Sequence, residues 1–306
     1  MSARLLFALP FALSLSKRSA RTPAPFALSL SKRRRRHSGL ALLLLAGAGA
    51  APAQDEVPFI TTPDTVTLAM LQLAGVGPVD TLVDLGSGDG RIVITAARRF
   101  GARGLGVELV PELVAKSRVN ARAAGVADRT EFREQDLFTL ELAPYSVITM
   151  YLLPQVNLQL RPRLLALKPG TRIVSHDWDL GDWQPDRSLT LDVPDKPIGR
   201  DKKSTLHLWV VPARLPGWWC GADVALHVAQ HYQRVSVTML RRGQAAPAHV
   251  FDGRATANGL HEGEQAAAAG IVAAVDGDAL RMTRVRGVAA IGFEGARLLA
   301  SGVACM

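Results

Sequence analysis

The stretch Thr81-Leu82-Val83-Asp84-Leu85-Gly86-Ser87-Gly88-Asp89-Gly90-Arg91 decides how this chain folds. Leu82, Val83 and Leu85 read as a short strand buried on both faces. Glycines follow at alternate positions, and Ile92 to Phe100 then reads as a helix with Ile92, Val93, Ala96, Ala97 and Phe100 on its apolar side. Glycine at such a junction lets the backbone turn tightly and lets a ligand approach with no Cβ in its way. The helix start adds N–H groups that lack intrahelical partners and suit a polar ligand. Spacing selects that ligand. A dinucleotide fold uses Gly-x-Gly-x-x-Gly to seat a pyrophosphate on the helix N-terminus. Here the pattern is Asp-x-Gly-x-Gly-x-Gly, and its carboxylates, Asp84 and Asp89, disfavour pyrophosphate and suit a cationic, amine-bearing ligand.

Strands and helices alternate on either side of this turn. Asp64 is placed to cap a helix running to Leu73. Gly104–Val107 reads as a second strand ending in Glu108, 18 residues after Gly90. That offset suits a carboxylate that accepts from both ribose hydroxyls of an adenosine-type ligand. Pro111 opens a helix that continues from Leu113 to Ala124 and stops at Gly125. Thr130–Gln135 and Val147–Tyr151 read as strands three and four, Leu158–Leu167 as a helix and Arg172–Ser175 as strand five. His176-Asp177-Trp178 is expected on a loop, and His207–Val211 as a late strand closing the sheet. This alternation predicts an α/β, Rossmann-like, doubly wound sheet of seven strands with its crevice at the carboxyl ends. Glu108, Asp136, Tyr151 and His176 all fall at those ends.

After a linker at 212–216 the texture changes to short alternating segments punctuated by glycine: Val224–Gln230, Arg234–Leu240, Ile271–Val275, Ala279–Thr283 and Gly287–Phe293. Residues 217–306 are expected to form a small β-rich domain, a meander or a barrel, with Trp218 and Trp219 in its core or at the domain interface. The expected organisation is a leader at 1–53, an α/β domain at 54–212 and this tail.

The net charge of +9 belongs to the front of the chain. Residues 1–36 hold nine basic residues and no acid, which leaves 27 of the 36 basic residues to balance 27 acidic ones. The folded part is therefore neutral, and no nucleic-acid partner is expected. Pro10–Arg18 and Pro25–Arg33 are the same nine residues, too short a repeat to bury anything. Arg33–Arg36, the apolar Leu40–Leu45 and Ala51-Pro52-Ala53 have the build of a secretory signal peptide cleaved before Gln54. The apolar run is too short to span a bilayer. If the 33–53 segment is used, the protein is secreted or periplasmic, with a possible envelope or membrane association; otherwise it is cytoplasmic. Cys220 and Cys305 do not decide between these. No Cys/His pair has metal-ligand spacing, so no metal is expected.

In order along the chain come Val57-Pro58-Phe59-Ile60-Thr61-Thr62-Pro63, Val83 to Arg91, Gln135-Asp136-Leu137-Phe138, Tyr151-Leu152-Leu153-Pro154 and Leu167 to His176. On these residues the chain resembles the class I S-adenosylmethionine (SAM) methyltransferases, and more narrowly the small protein-lysine N-methyltransferases with mitochondrial and archaeal members. The resemblance covers about Val57 to Pro185. It implies that Asp84, Gly86 and Gly88 face SAM, that Glu108 receives the ribose, and that Asp136 receives the adenine amino group while Leu137 packs on the ring. It also implies that Tyr151 and Pro154 face the substrate as the candidate catalytic positions. A protein lysine is the expected acceptor. A small molecule or lipid acceptor, or a SAM-fold envelope protein that binds without catalysis, remain the alternatives.

Overall fold

The computed structural model describes residues 60–197, 200–287 and 292–305, all within one compact unit, Val57–Met306. The leader and its repeat, the signal-like segment and Val57–Phe59 lie outside the described residues.

A mixed sheet runs in the order β3-β2-β1-β4-β5-β7-β6. Its parallel strands are β1 (Thr81–Leu85), β2 (Arg103–Glu108), β3 (Thr130–Glu134), β4 (Val147–Met150) and β5 (Arg172–His176). The last two, β6 (Arg187–Asp192) and β7 (Lys203–Val210), are antiparallel to their neighbours. The helices are α1 (Asp64–Leu73), α2 (Arg91–Phe100), α3 (Pro111–Ala123) and α4 (Pro154–Leu165). Side-chain alternation along the strands builds two cores. Leu82, Val147 and Val174 join Val66, Met70, Ile92 and Val93 on one face. Val83, Leu85, Ile148, Met150 and Ile173 join Leu160 and Leu164 of α4, with Trp183 and Trp209, on the other. Strand order reverses between β1 and β4, so the crevice opens at their carboxyl ends.

Several expectations shift. Asp64 does not cap α1: the cap position is Pro63, and no side-chain bond is made there. Helix α4 starts at Pro154, not Leu158, because proline fits the first helical position, whose N–H would be unpartnered anyway. Strand β7 begins at Lys203 rather than His207. Strand β6 was not anticipated. It is a mostly exposed edge strand with polar ends, and its only apolar residues are Leu189 and Leu191, too short an alternation to mark a strand.

Beyond Val211 the chain forms β8 (Gly217–Cys220), β9 (Val224–His231), β10 (Arg234–Arg241), β11 (His249–Thr256), β12 (Gly259–Glu262), β13 (Ile271–Asp276), β14 (Ala279–Val285) and β15 (Arg297–Ser301). Each pairs antiparallel with its successor, and β15 pairs with β8, so the expected meander or barrel is a closed barrel. Closure removes the free edges. Its interior is a packed core that includes Trp219, Leu226, Val237, Met239, Phe251, Leu280, Phe293 and Leu298. The expected strand at 287–293 falls largely outside the described residues. Cys220 and Cys305 form a disulfide that ties the end of the chain to β8. The barrel is pinned to the sheet by Arg254 Nη2 on Asp186 Oδ1 at 2.6 Å and by the Tyr232 hydroxyl, which donates to Asp182 Oδ2 at 3.1 Å.

Candidate functional site

Gly86, Gly88 and Gly90 all adopt left-handed backbone, with φ of 74°, 53° and 81°. A Cβ on Gly86 would lie 3.0 Å from Leu152 Cδ2, and one on Gly90 would lie 2.7 Å from the Phe132 ring. Only glycine fits both the torsion and the space. The turn is held from below: Gly86 and Ser87 N–H donate to Val107 O at 2.9 Å each. From the side, Ser117 Oγ donates to Gly88 O and Asn120 Nδ2 to Asp89 O, both at 2.9 Å, so α3 fixes its shape.

The two acids of the turn have separate fates. Asp89 is engaged by Arg91, with Nε to Oδ1 at 2.9 Å and Nη2 to Oδ2 at 2.7 Å, and this pairing holds its carboxyl below the usual range against the effect of burial. It is therefore not the free carboxylate that the spacing suggested. Arg91 Nη1 also donates to Thr62 O at 2.8 Å, which ties the lead-in before α1 to the glycine turn. Asp84 is almost wholly buried and accepts from Thr149 Oγ1 at 2.7 Å. Burial pushes its carboxyl up to about 8, against the Thr149 hydrogen bond and with help from the Glu108 and Asp89 charges.

Glu108 ends β2 beside the turn. Its Oε2 accepts from Gly88 N–H at 3.0 Å, and Oε1 accepts from Leu109 and Val110 N–H at 2.8 and 3.2 Å. Asp136 is exposed after β3, and its Oδ1 accepts from Phe138 N–H at 2.8 Å. Leu137 is half-buried next to it. The Leu152 contact with Gly86 brings the end of β4 onto the turn, and Pro154 starts α4 just beyond.

Tyr151 packs against His176 with ring centroids 4.0 Å apart and planes tilted by 33°, and its hydroxyl donates to Asp177 Oδ2 at 3.4 Å. Burial, followed by the Asp177 carboxylate, pushes the Tyr151 phenol up to about 12, so it stays protonated. His176, expected on a loop, is the fully buried last residue of β5. Its Nε2 lies 2.8 Å from Ser204 Oγ, and its Nδ1 has no hydrogen-bond partner among the described residues. Three residues that sequence reasoning did not single out complete the site: Thr149, Asp177 and Lys196. Thr149 sits inside an apolar strand and Lys196 on an irregular connector, so neither carries a local signal.

The acceptor-rich lining suits SAM, which offers ribose hydroxyls, an adenine amino group and a cationic amine. Glycines whose Cβ atoms would fill the cradle suit it too. Among the described residues no group of His, Cys, Asp or Glu could hold a metal ion. A separate groove of about 790 Å³ lies near the amino-terminal ends of the strands, lined by Arg163, Lys168, Pro169, Leu215, Trp219 and Asp278 among others.

Residues 84–187 match the ANTKMT methyltransferase domain family. The chain is 38% identical over 138 residues to a protein-lysine N-methyltransferase of Saccharolobus islandicus, covering 44% of this chain and 86% of that one. It is 37% identical to the adenine nucleotide translocase lysine N-methyltransferase of Mus musculus, over 47% of this chain and 63% of that enzyme. A solved structure described as an RNA methyltransferase of Salinibacter ruber, in complex with S-adenosyl-L-homocysteine, aligns at 51% identity over 51% of this chain and 97% of that one, with a TM-score of 0.46.

Proposed function

Because the chain belongs to the family of the archaeal protein-lysine N-methyltransferase and is a SAM-dependent methyltransferase, we propose that its acceptor is the side-chain amine of a protein lysine. Kinship over most of the archaeal enzyme's length carries this reading. Bound SAM supplies a methyl group activated on a sulfonium. Glu108 is assigned to the ribose hydroxyls, already oriented by its three backbone N–H donors. Asp136 is assigned to the adenine amino group and Leu137 to the ring. Asp84, behind Gly86 and Gly88, is assigned to the cationic amine, whose positive charge would favour the ionised form of a carboxyl that burial otherwise keeps protonated. Tyr151 lines the acceptor side, and Pro154 is a positioning residue that sets where α4 leaves the crevice.

Methyl transfer is an in-line displacement, so alignment and exclusion of water supply much of the rate. The amine must react in its neutral form; burial disfavours the charged form, and the Asp177 carboxylate beside Tyr151 acts against that. Incubating the purified protein with methyl-labelled SAM and an extract of its own cells tests the acceptor class. Methyl-lysine in hydrolysed protein is the expected result. Label confined to lipids or small metabolites would overturn the lysine assignment, and SAM binding without transfer would favour a binding protein.

We also infer export. The basic, apolar and Ala-Pro-Ala order of residues 33–53 supports it, as does the Cys220–Cys305 bond, since disulfides persist in oxidising compartments. N-terminal sequencing of protein made in a bacterial host should find Gln54 first; an intact leader on cytosolic protein would refute export.

A further inference from the structure

A second cluster of charge stands at the acceptor side of the sheet. Asp177 follows β5 with φ of 63°, a left-handed conformation that non-glycine residues adopt at a cost. Both of its backbone-facing groups are fixed by β7. Its N–H donates to Thr205 O at 2.7 Å, and its Oδ1 accepts from Thr205 N–H at 3.0 Å. The other oxygen, Oδ2, meets Lys196 Nζ at 2.7 Å and the Tyr151 hydroxyl at 3.4 Å.

Lys196 is only 8% exposed, which is rare for a lysine. Its Nζ also donates to Lys203 O. A lysine amine is thus held in a carboxylate–phenol corner whose tyrosine precedes Leu152, the residue packed on Gly86 of the glycine turn. An acceptor lysine arriving from another protein would meet the same two side chains.

We propose that Asp177 and Tyr151 form the seat of the acceptor amine, that Lys196 fills this seat from within the chain, and that Lys196 Nζ is a site of self-methylation. The proposal rests on the lysine-methyltransferase reading above. Asp177 takes a proton from the Lys196 ammonium. The freed nitrogen lone pair forms the N–C bond as the carbon–sulfur bond of SAM breaks and its electrons stay on sulfur. Asp177 then passes its proton to water. The methylated amine keeps its positive charge and its ion pair, and one proton is released per methyl transferred.

The test uses the full chain with methyl-labelled SAM, followed by proteolysis and mass mapping. Label is expected on Lys196. It should vanish in Lys196→Arg, which keeps a cation opposite Asp177, and fall sharply in Asp177→Asn. A second measurement uses Lys196→Ala with n-butylamine as the probe. The amine should raise the melting temperature of this variant and should itself become methylated. n-Butylamine that stabilises the variant without being methylated would make Lys196 a structural ion pair and overturn the proposal. Label on lysines of an added extract but not on Lys196 would overturn it while leaving the acceptor class intact. Label on neither, with SAM still bound, would remove both.

Discussion

Asp84 and Thr149 face one another across β1 and β4, and the threonine hydroxyl donates to the buried carboxyl at 2.7 Å. The pair sits at the strand reversal, directly under the glycine turn. Replacing Thr149 by valine keeps the shape and leaves Asp84 without that donor. SAM affinity should fall roughly tenfold, about 1.4 kcal/mol, for one lost buried hydrogen bond. Calorimetry showing unchanged affinity in a folded Thr149→Val protein would remove this pair from the site.

The raised Asp84 value has a stability consequence for the ligand-free protein. Its folded-state pKa, about 8, lies above the unfolded value of 3.8, so the folded state holds the proton longer. The stabilisation is complete below about pH 4 and is lost as pH rises through about 8. Asp84→Asn keeps an amide oxygen for Thr149 and carries no charge. Urea melts at pH 5 and pH 8 should therefore diverge less for this variant than for the wild type. Equal divergence would place the titration elsewhere.

His176 behaves in the opposite sense. Burial first, and then the Lys196 charge, hold its imidazole down to about 4, while Asp177 opposes them. The groups around the ring are Tyr151, Asp177, Lys196 and Ser204. Its neutral form contributes stability that is present above pH 6.5 and is lost as pH falls through about 4, an effect of roughly 3 kcal/mol at most. A proton NMR titration should find His176 uncharged at pH 5.5; a midpoint near 6.5 would contradict the packing.

Gly86→Val should abolish SAM binding, because φ of 74° and the Leu152 side chain both reject a branched Cβ. Circular dichroism and calorimetry together separate that loss from unfolding. Tyr151→Phe keeps the ring on His176 and removes only the hydroxyl. It should retain SAM affinity and lower methyl transfer roughly tenfold, a loss that falls on the transition state. Equal transfer by the two proteins would make Tyr151 structural.

Reducing the disulfide should act on the barrel alone. Cys220 and Cys305 lie 85 residues apart, and opening such a loop costs roughly 2–5 kcal/mol. Cys220→Ser with Cys305→Ser should melt earlier and bind SAM as before. A loss of SAM affinity would show coupling from the barrel to the crevice.

Residues 81–100 alone specified a buried strand, a glycine turn and a helix, because apolar period and glycine spacing are local properties of a chain. Glu108 and Asp136 were legible for the same reason: each is an acid at a strand end. The barrel was less legible. Its β-rich character showed in alternating segments, but β8, β11, β12 and β15 escaped notice, since closure depends on pairing between residues far apart, such as Leu299 with Cys220. The fates of individual charges were decided only in three dimensions. Asp84 and Asp89 look alike in sequence, yet one is buried against Thr149 and the other is claimed by Arg91. Asp177 and Lys196 are 19 positions apart with nothing local to pair them, and only the fold of β7 against β5 sets their charges 2.7 Å from one another. Sequence carries which residues can do chemistry; burial and long-range contact determine which of them are free to do it.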